Sequence, residues 1–179
     1  MKTRNSKRMI SKLLLVVVIF SLTIALSSFT LIKTGDRPKI CKLSKSLKMQ
    51  VEQETMGMNV EQIIDYSLKL TASRLQFSRY NEMDMGKANC VGYAQLCAGI
   101  CNQALAGNGI IGQAKPVVGY IESHGINWCK ALKAVAPKDS YKNFVKDHDF
   151  VELVTGSRTY YFDPSIYDVL GKKCLSTTN

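Results

Sequence analysis

Three side chains far apart in the sequence have the types that thiol chemistry needs: Cys90, His148 and Asp163. A cysteine thiolate is a nucleophile, an imidazole takes and returns a proton, and a carboxylate holds the imidazole in one orientation. The stretch DHDFVELVTGSRTYYFDPS, residues 147–165, brings the second and third of these within reach of each other. Alternating apolar residues flank Gly156-Ser157, and glycine supplies the positive φ of a two-residue hairpin turn. With those two residues as the loop, Thr155 faces Arg158, His148 faces Ser165 and Phe150 faces Asp163. His148 and Asp163 are then diagonal neighbours on one face, about 7–8 Å apart at the backbone, a gap their side chains can bridge. The expected geometry directs the imidazole Nδ1 at the carboxylate. Val151, Leu153, Tyr160 and Phe162 make the opposite, core side, which leaves His148, Phe150, Glu152, Tyr161 and Asp163 on a polar face. Glu152 reads as a structural or rim group.

Cys90 opens the segment NCVGYAQLCAGICNQALA, residues 89–106. Its small, apolar residues predict a helix buried on most sides, and Gly107-Asn108-Gly109 marks the end. Asn89 is the natural cap. A thiol in that first turn feels the positive end of the helix dipole, which favours the thiolate. Backbone N–H groups left free in the same turn can receive an oxyanion. One position thus offers the nucleophile and part of its oxyanion hole.

The remaining elements must bring these groups together. Asn-x-x-Gln opens NVEQIIDYSLKLTASRL, residues 59–75, a capping-box variant followed by apolar positions at helical spacing. Residues 77–88 read as a loop leading to the nucleophile helix. Residues 113–123 read as a strand, with Pro116 favouring an edge or a strand start. Residues 124–146 form a long excursion with a short helix around 128–135, and the hairpin closes the domain. Helices followed by an antiparallel sheet predict an α+β fold.

Six cysteines in the chain bear on the same question. Cys41, Cys129 and Cys174 lie outside the strongest helix and are the disulfide candidates. Cys97 and Cys101 share a helical stripe with Cys90 and read as small buried hydrophobes. A zinc site from Cys97, Cys101, His124 and Cys129 would need a buried stripe to converge with a distal loop, and its spacing is looser than structural zinc sites show. No metal or cofactor is expected.

The segments NCVGYAQLCAGICNQALAGNGIIGQAKPVVGYI and HDFVELVTGSRTYYFDPS together resemble the transglutaminase-like superfamily. There a helix-start Cys-x-x-Tyr-Ala leads into a Val-x-Gly strand, followed by His-x-aromatic-Val-Glu and aromatic-x-Asp-Pro-Thr/Ser strands. The resemblance spans about residues 86–166. It implies a papain-like core with Cys90 as nucleophile, His148 as general base and acid, and Asp163 as the orienting residue. It departs from the pattern at Ala88, where glycine is usual, at Phe150, where tryptophan is usual, and in the long insertion before His148. Tyr93, Trp128 and Phe150 are the candidate substrate-binding residues, and Tyr120 stands beside them.

The chain of 179 residues carries a formal net charge of +10. Residues 1–12 hold five basic residues and no acid, and an uncharged apolar run, residues 13–32, follows. This is an export signal, cleaved after Ala25-Leu26-Ser27, or an uncleaved anchor just long enough to span a bilayer. Removing residues 1–27 leaves +5, spread thinly, so the Lys-rich segment 39–48 reads as a solvated linker and nucleic acid is excluded as a partner. The expected organisation is a signal or anchor over 1–32, a basic linker over 33–50 and one domain over 51–179. The location is periplasmic or extracellular, or anchored at the membrane, compatible with a bacterial envelope protein. The expected function is thiol hydrolysis of a peptide or carboxamide, with a protein-glutamine transferase and a non-catalytic binding domain as alternatives.

Overall fold

The computed structural model describes residues 29–37, 39–123, 125–127 and 148–178. Residues 1–28, most of the expected leader, His124, Trp128, Cys129 and the short helix expected around 128–135 lie outside them. In chain order the elements are β1 (Thr30–Asp36), α1 (Lys45–Glu54), α2 (Val60–Arg74), β2 (Gln76–Phe77), β3 (Lys87–Ala88) and α3 (Cys90–Gly107). Then follow β4 (Gln113–Ser123), β5 (Ile126–Asn127), β6 (His148–Thr155), β7 (Arg158–Phe162), α4 (Pro164–Leu170) and β8 (Leu175–Thr178). The architecture is α+β. The main sheet is antiparallel in the order β1-β4-β6-β7-β8, with β5 folded back on β4. Its two edges, β1 and β8, approach each other, so the sheet curls.

The helices form where caps and apolar spacing direct them. Asn59 and Gln62 make the reciprocal capping box that opens α2, and Ile63, Ile64, Ser67, Leu68 and Thr71 bury one face. α3 is buried on nearly every side, as its small residues require, and packs on α2 and on β4 and β6. Fully burying a Leu or Ile side chain stabilises by about 1.5–3 kcal/mol. Ile63, Ile64, Leu68, Ile100, Leu105, Val151 and Leu153 therefore dominate the main core. The hairpin has the expected register: Thr155 pairs with Arg158 and Val151 with Phe162, and Gly156 has φ 56°.

Four expectations are corrected. The folded elements begin before residue 51, within the expected leader and linker: β1 pairs with β4 from Thr30↔Glu122 to Asp36↔Val117, and α1 buries Leu47 and Val51. β4 is an interior strand, although Pro116 falls where β1 has ended. The Pro116 carbonyl accepts from Arg37 N at 3.1 Å, so the missing N–H lies on that same unladdered side. The hairpin does not close the domain, because α4 and β8 follow and β8 pairs with β7. The polar face is not open: Phe150 is wholly buried with Leu31, Val117 and Cys174 in a second core under the curl.

Glu152, on that face, is buried amid charge. Lys33 Nζ lies 2.9 and 3.0 Å from its two oxygens, Lys115 Nζ lies 3.1 Å away, and Tyr161 donates its hydroxyl at 3.0 Å. This cluster ties β1, β4, β6 and β7 together. The lysine and tyrosine donors hold the Glu152 carboxyl below its usual range although burial opposes that. No helix among the described residues is long and apolar enough to cross a membrane.

Candidate active site

Cys90 is the first residue of α3, and Asn89 caps it by accepting from Val91 N at 3.1 Å. The first helical bond runs from Tyr93 N to Asn89 O. The thiol therefore sits at the end of the helix where N–H groups point outward. His148 is the first residue of β6, set opposite Gly119 of β4. Glycine is required at that position, because a Cβ on Gly119 would lie 1.9 Å from Ile32 O. Asp163 follows β7 directly and is the cap of α4, with Pro164 at the first helical position.

The three residues meet. His148 hydrogen-bonds Asp163 through Nε2 and Oδ2, and the Cys90 side chain lies near enough to the ring to act on its charge. The expected nitrogen is thus corrected: Nε2, not Nδ1, faces the carboxylate. Asp163 leaves the strand to start a helix, and that cap sets which of its oxygens is free to face the ring. Its Oδ1 accepts from Ser165 N at 2.9 Å, Ser165 Oγ at 2.8 Å and Ile166 N at 3.0 Å. With Oδ1 saturated, only Oδ2 remains for the imidazole.

All three groups are more than nine-tenths buried. Burial works against the His148 imidazolium, yet the adjacent Asp163 carboxylate and Cys90 outweigh it and hold His148 well above the usual histidine range. Burial likewise opposes the Asp163 anion, and His148, the Ile166 N–H and Ser165 outweigh it, so the carboxyl stays below its usual range. The arrangement sets a carboxylate-held imidazole beside a cysteine at a helix start.

The other candidate residues do not line an open site. Tyr93 is wholly buried, with its hydroxyl against Leu75 O and Asp168 Oδ2, so the expectation that it binds substrate is corrected. Phe150 is likewise consumed by packing, stacked on His148 with ring centroids 6.4 Å apart, and is corrected in the same way. Trp128 lies outside the described residues. Cys97 and Cys101 are core, and burial raises both thiols, that of Cys101 to about 12. Among the described cysteines, Cys41 and Cys174 are free, so no pairing of these two is present.

Three partners were missed in the sequence. Ser165 and Ile166 cradle Asp163, and Asp-Pro-Ser, read as a cap with proline at the first helical position, would have found them. Asp149, beside His148, is buried with both carboxylate oxygens on Arg37 Nε, at 3.0 and 2.8 Å, which fastens the end of β1 to the start of β6. Nothing local in sequence joins residues so distant. Comparison of the chain with family models, curated proteins and solved structures finds no match.

Proposed function

We propose that the chain is a thiol hydrolase, a peptidase or amidase with a papain-like, transglutaminase-like core, in which Cys90, His148 and Asp163 act together. The observation that supports this reading is the buried meeting of side chains from three different elements: His148 of β6 hydrogen-bonded to Asp163 at the start of α4, with Cys90 of α3 beside the imidazole. In this reading the Cys90 thiolate attacks a carboxamide or peptide carbonyl carbon. N–H groups of the first turn of α3 receive the oxyanion, and the imidazolium gives its proton to the departing amine. The neutral imidazole then takes a proton from water, whose oxygen displaces the sulfur from the thioester and releases the acid product. Asp163 keeps the ring in register throughout.

The substrate is a peptide or protein. The basic leader assigns the chain to an extracytoplasmic compartment, or to the membrane if the leader is retained. A second reading draws on the enclosure of Cys90, which is 6% exposed. A site shut from water suits an amine acceptor, and the chain would then be a protein-glutamine transferase. The same enclosure fits a non-catalytic binding domain. Incubation of the full chain with a glutamine-containing peptide library, with and without a primary amine, separates these by mass spectrometry. Cleavage or deamidation supports the hydrolase, amine incorporation without cleavage supports the transferase, and no product with an unreactive Cys90 supports the binding domain.

A further inference from the structure

The helices that carry the nucleophile and the acid are joined to each other away from the reacting atoms. Cys90 opens α3, and Tyr93 lies one turn along the same helix. Asp163 caps α4, and Asp168 lies further along that helix. The Tyr93 hydroxyl sits 2.6 Å from Asp168 Oδ2 and 3.0 Å from Leu75 O, the residue that ends α2. One hydroxyl therefore fixes α3 to α4 and to the end of α2.

α4 has seven residues, far fewer than a helix needs to hold its own shape and place in water. Its position depends on what pins it. The N–H groups of Ser165 and Ile166 and the Ser165 hydroxyl, which fix Asp163 Oδ1, belong to this helix. A shift of α4 therefore carries the cradle of the carboxylate with it, and a small misplacement of a catalytic group costs much of its effect.

We propose that the hydrogen bond between Tyr93 and Asp168 is a positioning clamp, which fixes α4, and with it Asp163, relative to Cys90 and His148. The clamp rests on the reading of Cys90, His148 and Asp163 as a triad. Neither Tyr93 nor Asp168 touches a reacting atom; both act through the helices they join.

The test is the rate at which iodoacetamide alkylates Cys90 in the full chain across pH, with the labelled cysteine identified by peptide mass spectrometry. Tyr93→Phe removes one oxygen and keeps the ring. It is expected to slow Cys90 labelling at neutral pH about tenfold. It should also lower the pH at which His148 loses its proton, read from the imidazole resonances, because Asp163 is no longer held against the ring. Asp168→Leu should do the same, whereas Asp168→Asn, which keeps an oxygen acceptor, should stay within about twofold of wild type. In a double-mutant cycle, Tyr93→Phe with Asp168→Leu should be no slower than either alone. If Tyr93→Phe does not fold, the two Asp168 variants carry the comparison. Variants that melt earlier but keep the wild-type labelling profile and His148 titration overturn the clamp alone. Wild-type labelling that ignores His148→Gln overturns the triad, and the clamp with it.

Discussion

His148 and Asp163 meet through a single pair of atoms, Nε2 and Oδ2, while the other carboxylate oxygen of Asp163 is occupied as the cap of α4. One side chain thus starts a helix and orients an imidazole, and substitutions can separate the two tasks. Asp163→Asn keeps a good cap but loses the charge. Its Cys90 labelling rate is expected to fall by about a hundredfold or more, with the urea midpoint little changed. Asp163→Ala should lose reactivity and a further ~1–2 kcal/mol of stability in urea denaturation. Equal stability of the two variants would contradict the divided role.

The same pair sets a pH window. His148 is raised, so its contribution to stability is complete below its unfolded value of about 6.5 and is lost as pH climbs through the higher native value. Asp163 is lowered, so its contribution is complete above an unfolded value of about 3.9 and is lost as pH falls through the lower native value. The Tm difference between wild type and the double variant His148→Gln, Asp163→Asn should be largest between about pH 4 and 6.5. A difference that is flat with pH would rule out the coupling.

Gly119 faces His148 across β4 and β6, with Ile32 O where a side chain would begin. Gly119→Ala should destabilise by about 2–4 kcal/mol, because the obstructing atom is backbone and cannot rotate away. Urea midpoints measure this. A neutral substitution would mean that β1 does not press on β4 here.

Glu152 offers a control outside the site. Glu152→Gln leaves Lys33 and Lys115 without their buried counter-charge and should cost about 1–3 kcal/mol. Cys90 labelling should stay within about twofold of wild type, since Glu152 makes its bonds to Lys33, Lys115 and Tyr161 and none to the triad. A large loss of labelling would tie the charge cluster to the chemistry.

Truncation tests the domain boundary. A chain begun at residue 51 lacks β1 and the first six residues of α1 and exposes the core surfaces that Leu31 and Leu47 cover. It should lose the cooperative unfolding transition that a chain begun at Phe29 keeps, as followed by circular dichroism on heating. Cooperative unfolding of the shorter chain would make β1 dispensable.

Much of this was legible because the signals are local. Gly156-Ser157 sets the hairpin register, Asn59 and Asn89 are caps with a mechanism, and Gln113–Ser123 reads as a strand. β1 was not legible: Leu31 and Ile32 merge with the apolar leader, and Lys33 reads as linker charge until Glu152, far along the chain, pairs with it. Tyr93 reads as a groove residue because aromatic type alone does not reveal that its hydroxyl is spent on Asp168. Which oxygen of Asp163 meets the imidazole depends on where the strand gives way to a helix. Hairpin register cannot report that.

β1 is made early and used late. Thr34 bonds to Val118, 84 residues further on, so during synthesis the first strand waits without a partner until β4 has been added. The His148 end of β6 and the Asp163 cap are added later still. An unpaired strand invites pairing with other chains, and the lysine near its middle, Lys33, guards against that until Glu152 is available. Cys90 meanwhile spends that interval as a thiol with no imidazole beside it. In the proposed triad the centre is complete only once residues 148–163 have been made, which leaves Cys90 idle until then.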